Sequence, residues 1–186
     1  KYGYRNSQGK ELFYMLRYDK KDGSKSMQPV SFCHDREDNR QWCFKMPPGQ
    51  RPLYGLDRLA KADPNATVLL VEGEKAADAA QALFPDYVCM TWCGGCEAAE
   101  LNDYKPIADR NIIIGPDNDA PGLTAAFSLK KHIDEEKPEK EVIGENTDLP
   151  TGLRIILPPE YLPPKWDLAD EPPPDFDPVE FITHSL

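Results

Sequence analysis

The run Thr67-Val68-Leu69-Leu70-Val71-Glu72-Gly73-Glu74-Lys75-Ala76-Ala77-Asp78 decides the fold. Residues 67–71 are rich in Val and Leu without polar alternation, which predicts a strand buried on both faces, and Gly73 bounds it. Glu74 to Phe84 is alanine-rich with helical apolar spacing and predicts a helix. The strand-turn-helix grammar recurs downstream. Tyr87 to Thr91 predicts a strand, Glu97 to Ala108 a helix or partly irregular crossover, Asn111 to Ile114 a strand, Gly122 to Glu136 a helix and Leu153 to Leu157 a fourth strand. Apolar strands alternating with helices predict an α/β fold: a parallel sheet of about four strands with helices on both faces.

Upstream, the pattern differs. Tyr2, Tyr4, Phe13, Tyr14, Leu16 and Tyr18 are split by Asn6-Ser7-Gln8-Gly9 and by Lys21-Asp22-Gly23, which are hairpin signals, and Pro47-Pro48-Gly49 closes further short apolar stretches. Residues 1–60 therefore form a small β-rich subdomain, and 61–171 the parallel-sheet domain. Residues 137–152 have the composition of a loop insertion. Prolines lace 158–174, so residues 172–186 are expected to form a proline-rich acidic tail, extended until its last residues.

The 186 residues leave room for one complete core, and no stretch reaches the roughly 18 uninterrupted apolar residues of a spanning helix. Lys1 opens the chain without a signal-like segment, as expected for a piece of a longer protein. The five cysteines give no even disulfide framework, so a reducing, cytoplasmic setting is expected. Cys93 and Cys96 have the gap of a metal or redox pair, but no second pair completes a zinc site.

The net charge of −10 is unevenly distributed: residues 1–60 hold 12 Lys and Arg against 7 Asp and Glu, whereas the remainder holds 10 against 25. A basic front beside an acidic body suits a surface that meets phosphate next to carboxylates that meet a cation.

In open parallel sheets, ligands gather beyond the carboxyl ends of the strands. Glu72 follows the first predicted strand, and Asp117 and Asp119 follow the third. If those strands are neighbours, the three carboxylates converge and repel one another unless a cation such as Mg²⁺ or Mn²⁺ neutralises them. In extended backbone Asp117 and Asp119 would face one side, with Asn118 pointing elsewhere. The same triplet could equally be a turn and helix N-cap.

Val71-Glu72-Gly73-Glu74-Lys75 and Asp117-Asn118-Asp119-Ala120-Pro121-Gly122 resemble the glutamate and Asp-x-Asp-x-x-Gly motifs of the Toprim domain. Arg51-Pro52-Leu53-Tyr54-Gly55-Leu56, Thr91 to Gly95 and Trp166-Asp167-Leu168-Ala169-Asp170 are similar to DNA primases and primase-helicases of phages and mobile elements, a family active in DNA replication. The resemblance implies Mg²⁺- or Mn²⁺-dependent nucleotidyl transfer that makes primers on single-stranded DNA from nucleoside triphosphates. A helicase domain or subunit would be a partner, and the setting the cytoplasm of a bacterium or of a phage's host, without membrane association. It assigns catalysis to Glu72, Asp117 and Asp119, and metal ligation to these with Asp167; Asp170 is a further candidate. Lys75, Arg5, Arg17, Lys45, Arg51 and Arg58 become candidates for nucleotide or template contacts, with Trp42 available for stacking. The family pattern has an acidic residue four positions after the glutamate, where this chain has Ala76, with Asp78 two residues on. A Toprim nuclease and a non-catalytic nucleic-acid-binding module are the alternatives.

Overall fold

The computed structural model describes residues 1–34, 37–136 and 152–184. The predicted insertion at 137–152 falls, apart from Gly152, outside them. The front of the chain forms an antiparallel sheet in the order β1 (Tyr2–Arg5), β2 (Glu11–Asp19), β3 (Lys25–His34), β4 (Arg40–Cys43). The Asp22-Gly23 turn sets Arg17 opposite Met27 and Met15 opposite Pro29. Because side chains alternate along a strand, Met15, Arg17, Lys25, Met27 and Pro29 share one face. Pro29 lies in the half of β3 that β4 does not reach, where proline is tolerated.

The second sheet contains β5 (Val68–Val71), β6 (Val88–Met90), β7 (Ile112–Gly115) and β8 (Leu153–Ile155), all parallel, in the order β6-β5-β7-β8. The first and third strands of the sheet are therefore neighbours, as the carboxylate argument requires. The odd-numbered side chains Leu69, Val71, Cys89 and Ile113 bury against helix α2 (Glu74–Leu83) and against Tyr4, Phe13 and Met15 of the front sheet. Even-numbered Val68, Leu70, Ile112 and Ile114 bury on the opposite face with Ala126, Leu129 and Ile133 of α3 (Ala120–Glu136). A short helix α1 (Leu56–Leu59) precedes β5. The connection between β6 and β7 is two 3₁₀ turns, Cys96–Leu101 and Lys105–Ile107, rather than an α-helix.

Residues 158–174 contain no helix or strand, and α4 (Pro178–Thr183) follows. This segment packs back on the molecule: Leu162, Trp166, Phe181 and Ile182 enter the core beside α2, and Leu157 N–H donates to the His184 carbonyl at 3.0 Å. No helix among the described residues is long and apolar enough to cross a membrane.

Candidate functional site

A cavity of about 420 Å³ lies between the front sheet and the carboxyl ends of the parallel strands. Its rear wall carries Glu72, Glu74, Lys75, Asp117 and Asp167; its front wall carries Arg17, Lys25 and a group of apolar side chains.

Glu72 enters the cavity from a turn that its neighbours fix. Gly73 has φ +86°, a conformation that L side chains rarely adopt, and its N–H donates to Thr91 Oγ1 at 2.9 Å. The Cys96 thiol donates to the Glu72 carboxylate, with Sγ 3.1 and 3.0 Å from its two oxygens. Burial, and then this hydrogen bond, push the Cys96 thiol up to about 12, so it stays a donor at neutral pH. Glu74 is 6% exposed and accepts from the Tyr4 hydroxyl at 2.7 Å, which ties the front sheet to the same turn.

Asp117 follows β7. Burial raises its carboxyl to about 7, with Glu72, Asp167 and Asp119 adding repulsion and Lys25 opposing them. Asn118 does point elsewhere: its amide donates to the carbonyls of Leu162 and Pro163 at 2.8 and 2.9 Å, and its backbone pairs with Trp166 and Lys165. That grip draws Asp167 to the cavity. Asp119 is turned onto α3, where Oδ1 accepts from Gly122 N–H at 2.7 Å. The backbone at 117–119 is a tight turn, so Asp117 and Asp119 do not face one side, and only Asp117 lines the cavity. A Cβ at Gly122 would lie 2.6 Å from the Asp117 carbonyl oxygen, which explains glycine at the last motif position.

The remaining candidates divide. Lys75, Arg17 and Arg51 line the cavity, with Arg51 also donating to the Cys93 carbonyl at 3.2 Å. Arg5 pairs with Glu11 and Asp57 outside it. Arg58 is committed to Asp78, to the Cys89 carbonyl and to the Tyr54 ring, so Asp78 does not stand in for the carboxylate absent at Ala76. Lys45 and Asp170 also lie outside the cavity lining. Trp42 packs on Phe32 across β3 and β4, on the sheet face opposite the cavity, and is 59% exposed.

Lys25, Glu74 and Cys96 are functional candidates that motif reading passes over. The signal for Lys25 is the alternation in the 15–29 hairpin once its turn is fixed; the local signal of Cys96, its gap to Cys93, points to a metal or redox pair, and only the sheet order brings it to Glu72.

Among the described residues, no group of three or more His, Cys, Asp or Glu side chains could hold a metal ion as a protein-only site. One oxygen of Asp119 and one of Asp167 already accept backbone N–H groups. What fits is the other arrangement usual for Mg²⁺, in which one or two carboxylates share the ion with substrate phosphates. Glu72 and Asp117 are the hard oxygen donors placed for it.

Residues 6–118 match the family described as Domain of unknown function (DUF6371). The chain belongs to that family. No curated protein matches the sequence. Among solved structures, the primase fragment of the bacteriophage T7 primase-helicase protein is similar over 90% of this chain and 54% of its own, with a TM-score of 0.52 and 16% identity. The DnaG catalytic core is similar over 90% of this chain and 46% of its own, with a TM-score of 0.54 and 18% identity. The chain thus shares the fold of primase catalytic cores and spans about half the length of these two relatives.

Proposed function

We propose that this member of the DUF6371 family carries a Toprim nucleotidyl-transfer site of the primase type. It would join nucleoside triphosphates into primers on single-stranded DNA during replication. The observation that carries the reading is the meeting of Glu72, Asp117 and Asp167 from three separate segments at one cavity, where burial and mutual repulsion hold the Asp117 carboxyl near 7. A cation relieves that repulsion, and the fold shared with primase cores agrees.

The reaction is attack of a 3′-hydroxyl on the α-phosphorus of an incoming triphosphate, with pyrophosphate leaving. Mg²⁺ or Mn²⁺, when bound, supplies charge neutralisation at the attacking and leaving oxygens. Glu72 and Asp117 would hold it, with Asp167 and Asp119 shaping the field around them. The Cys96 thiol orients the Glu72 carboxylate, and Lys25 and Lys75 face the phosphates from opposite walls. Single-stranded template and a helicase domain or subunit are the proposed partners, and the setting is the cytoplasm of a bacterium or of a phage's host.

The test is primer synthesis on single-stranded templates with labelled nucleotides and Mg²⁺ or Mn²⁺. Template-dependent products should fall about a thousandfold in Asp117→Ala, the several kcal/mol that such a site contributes. Metal-dependent shortening of the template instead would assign a nuclease. No product from folded protein that still binds DNA would assign a binding module, a reading that Ala76 and the lack of a protein-only metal site among the described residues favour.

A further inference from the structure

The cavity has walls of different chemistry, and the proposed reaction leaves the apolar side chains of the front wall unused. Opposite the carboxylates and Lys75, the front wall presents Tyr2, Met15, Met27, Pro29 and Met46 beside Arg17 and Lys25. Met15, Met27 and Pro29 are placed by the β2–β3 register, and Tyr2 by its pairing with Met15 across β1 and β2. An apolar wall of this kind, open to a 420 Å³ space that also holds cationic and anionic side chains, suits a ligand with a flat apolar part and an anionic part.

Resting on the nucleotidyl-transfer reading above, we infer that this strip seats the base of the incoming nucleoside triphosphate and that it receives all four bases alike. Its apolar members carry one strong hydrogen-bonding group, the Tyr2 hydroxyl, and the guanidinium of neighbouring Arg17 donates to Asp19 at 2.8 Å. Discrimination between bases needs several polar partners fixed in place. Methionine instead supplies a flexible, polarisable surface that adapts to rings of different size, and contact with the faces of bases is tolerant of sequence. The phosphates then lie between Lys25 of the front wall and Lys75 of the rear wall, toward Glu72 and Asp117. Selection of the base is left to pairing with the template.

The test is calorimetric titration of the whole chain with ATP, GTP, CTP and UTP and with inorganic tripolyphosphate, all in Mg²⁺. The double variant Met27→Ser/Met46→Ser probes the wall at one exposed and one half-buried residue. The four nucleotides should agree within about threefold, and each should bind about tenfold more tightly than tripolyphosphate, the gain expected of one seated base. The double variant should lower nucleotide affinity to the tripolyphosphate level and leave tripolyphosphate itself unchanged, and Met27→Leu/Met46→Leu should restore the difference. Tripolyphosphate binding as tightly as the nucleotides, a more than tenfold preference for one base, or no binding by any of the five would overturn the inference. So would a double variant that loses affinity for a single-stranded oligothymidylate while keeping that for nucleotides, which would assign the wall to template. Base-dependent binding without primer synthesis would retain the seat and sink the polymerase reading; primer synthesis with no base-dependent increment would do the reverse.

Discussion

On the rear wall of the cavity Glu72, Asp117 and Asp167 are held in turns at the ends of packed elements, whereas on the front wall Arg17, Lys25 and Met27 are held by strand register. The rear positions are braced: Gly73 N–H on Thr91, Cys96 on Glu72, Asn118 on the 162–166 segment. The front side chains project from an antiparallel hairpin and are freer at their tips; Met27 is 38% exposed. Groups that do chemistry need fixed geometry, and groups that receive a ligand gain from adaptability. The division predicts that changes behind the rear wall cost stability, while changes on the front wall cost affinity.

The largest such cost is expected at Gly122. The backbone oxygen that a Cβ there would meet, at 2.6 Å, belongs to Asp117, so neither atom can yield without moving the Asp117 turn or the start of α3. Gly122→Ala should destabilise by about 2–3 kcal/mol, the cost of an overpacked site, read as a lower urea midpoint with an unchanged slope. Gly9→Ala, at φ +78° with open space around it, provides the front-sheet comparison and should cost only about 1 kcal/mol. Equal losses at the two would break the contrast between walls.

The same contrast governs what could be read before the structure was known. The four parallel strands were legible because each lies in a contiguous segment whose composition states its role, whereas their order, which brings Glu72 and Asp117 to one cavity, entered only as a condition of the carboxylate argument. Lys25 and Met27 were not legible, since nothing in their neighbours marks them and only pairing across the hairpin turns them to one face; Met46 reaches the cavity from beyond β4, outside any strand pairing. Asp119 was ambiguous for a physical reason: an Asp before a helix is as good a cap as a ligand, and here one of its oxygens caps. The charge that marks Arg58 as a candidate in the sequence is paired with Asp78 in the fold.

A second test concerns the burial of Asp117 and the repulsion that adds to it. Asp117 titrates near 7 in the folded protein and near 3.9 in an unfolded chain. The fold therefore favours the protonated carboxyl. Its cost is absent below pH 4, where both states are protonated, grows as pH rises from 4 to 7, and is complete above 7. Asp117→Asn should match wild type near pH 4 and be more stable at pH 8, by on the order of 2 kcal/mol after allowance for a site that is partly solvated. Thermal melts across that range in a metal chelator check it. A gap that is constant with pH would mean that the carboxyl is not strained, and Mg²⁺ at pH 8 should narrow the gap by stabilising wild type alone.

The smallest effect is the most informative about how the walls act together. Lys25 is exposed, yet its charge opposes the upward shift of Asp117, so the front wall reaches the rear electrostatically. Lys25→Ala should raise the Asp117 midpoint, seen by carboxyl NMR in metal-free protein, by about 0.3, as a solvent-screened charge does. It should also weaken triphosphate binding about threefold, and both effects should shrink in high salt. Lys45→Ala carries the same loss of charge from a position outside the cavity and should change neither. If the two substitutions behave alike, the basic front acts only as a diffuse field; if Lys25 alone moves the Asp117 midpoint, register has placed one lysine of the hairpin where the carboxylates can feel it.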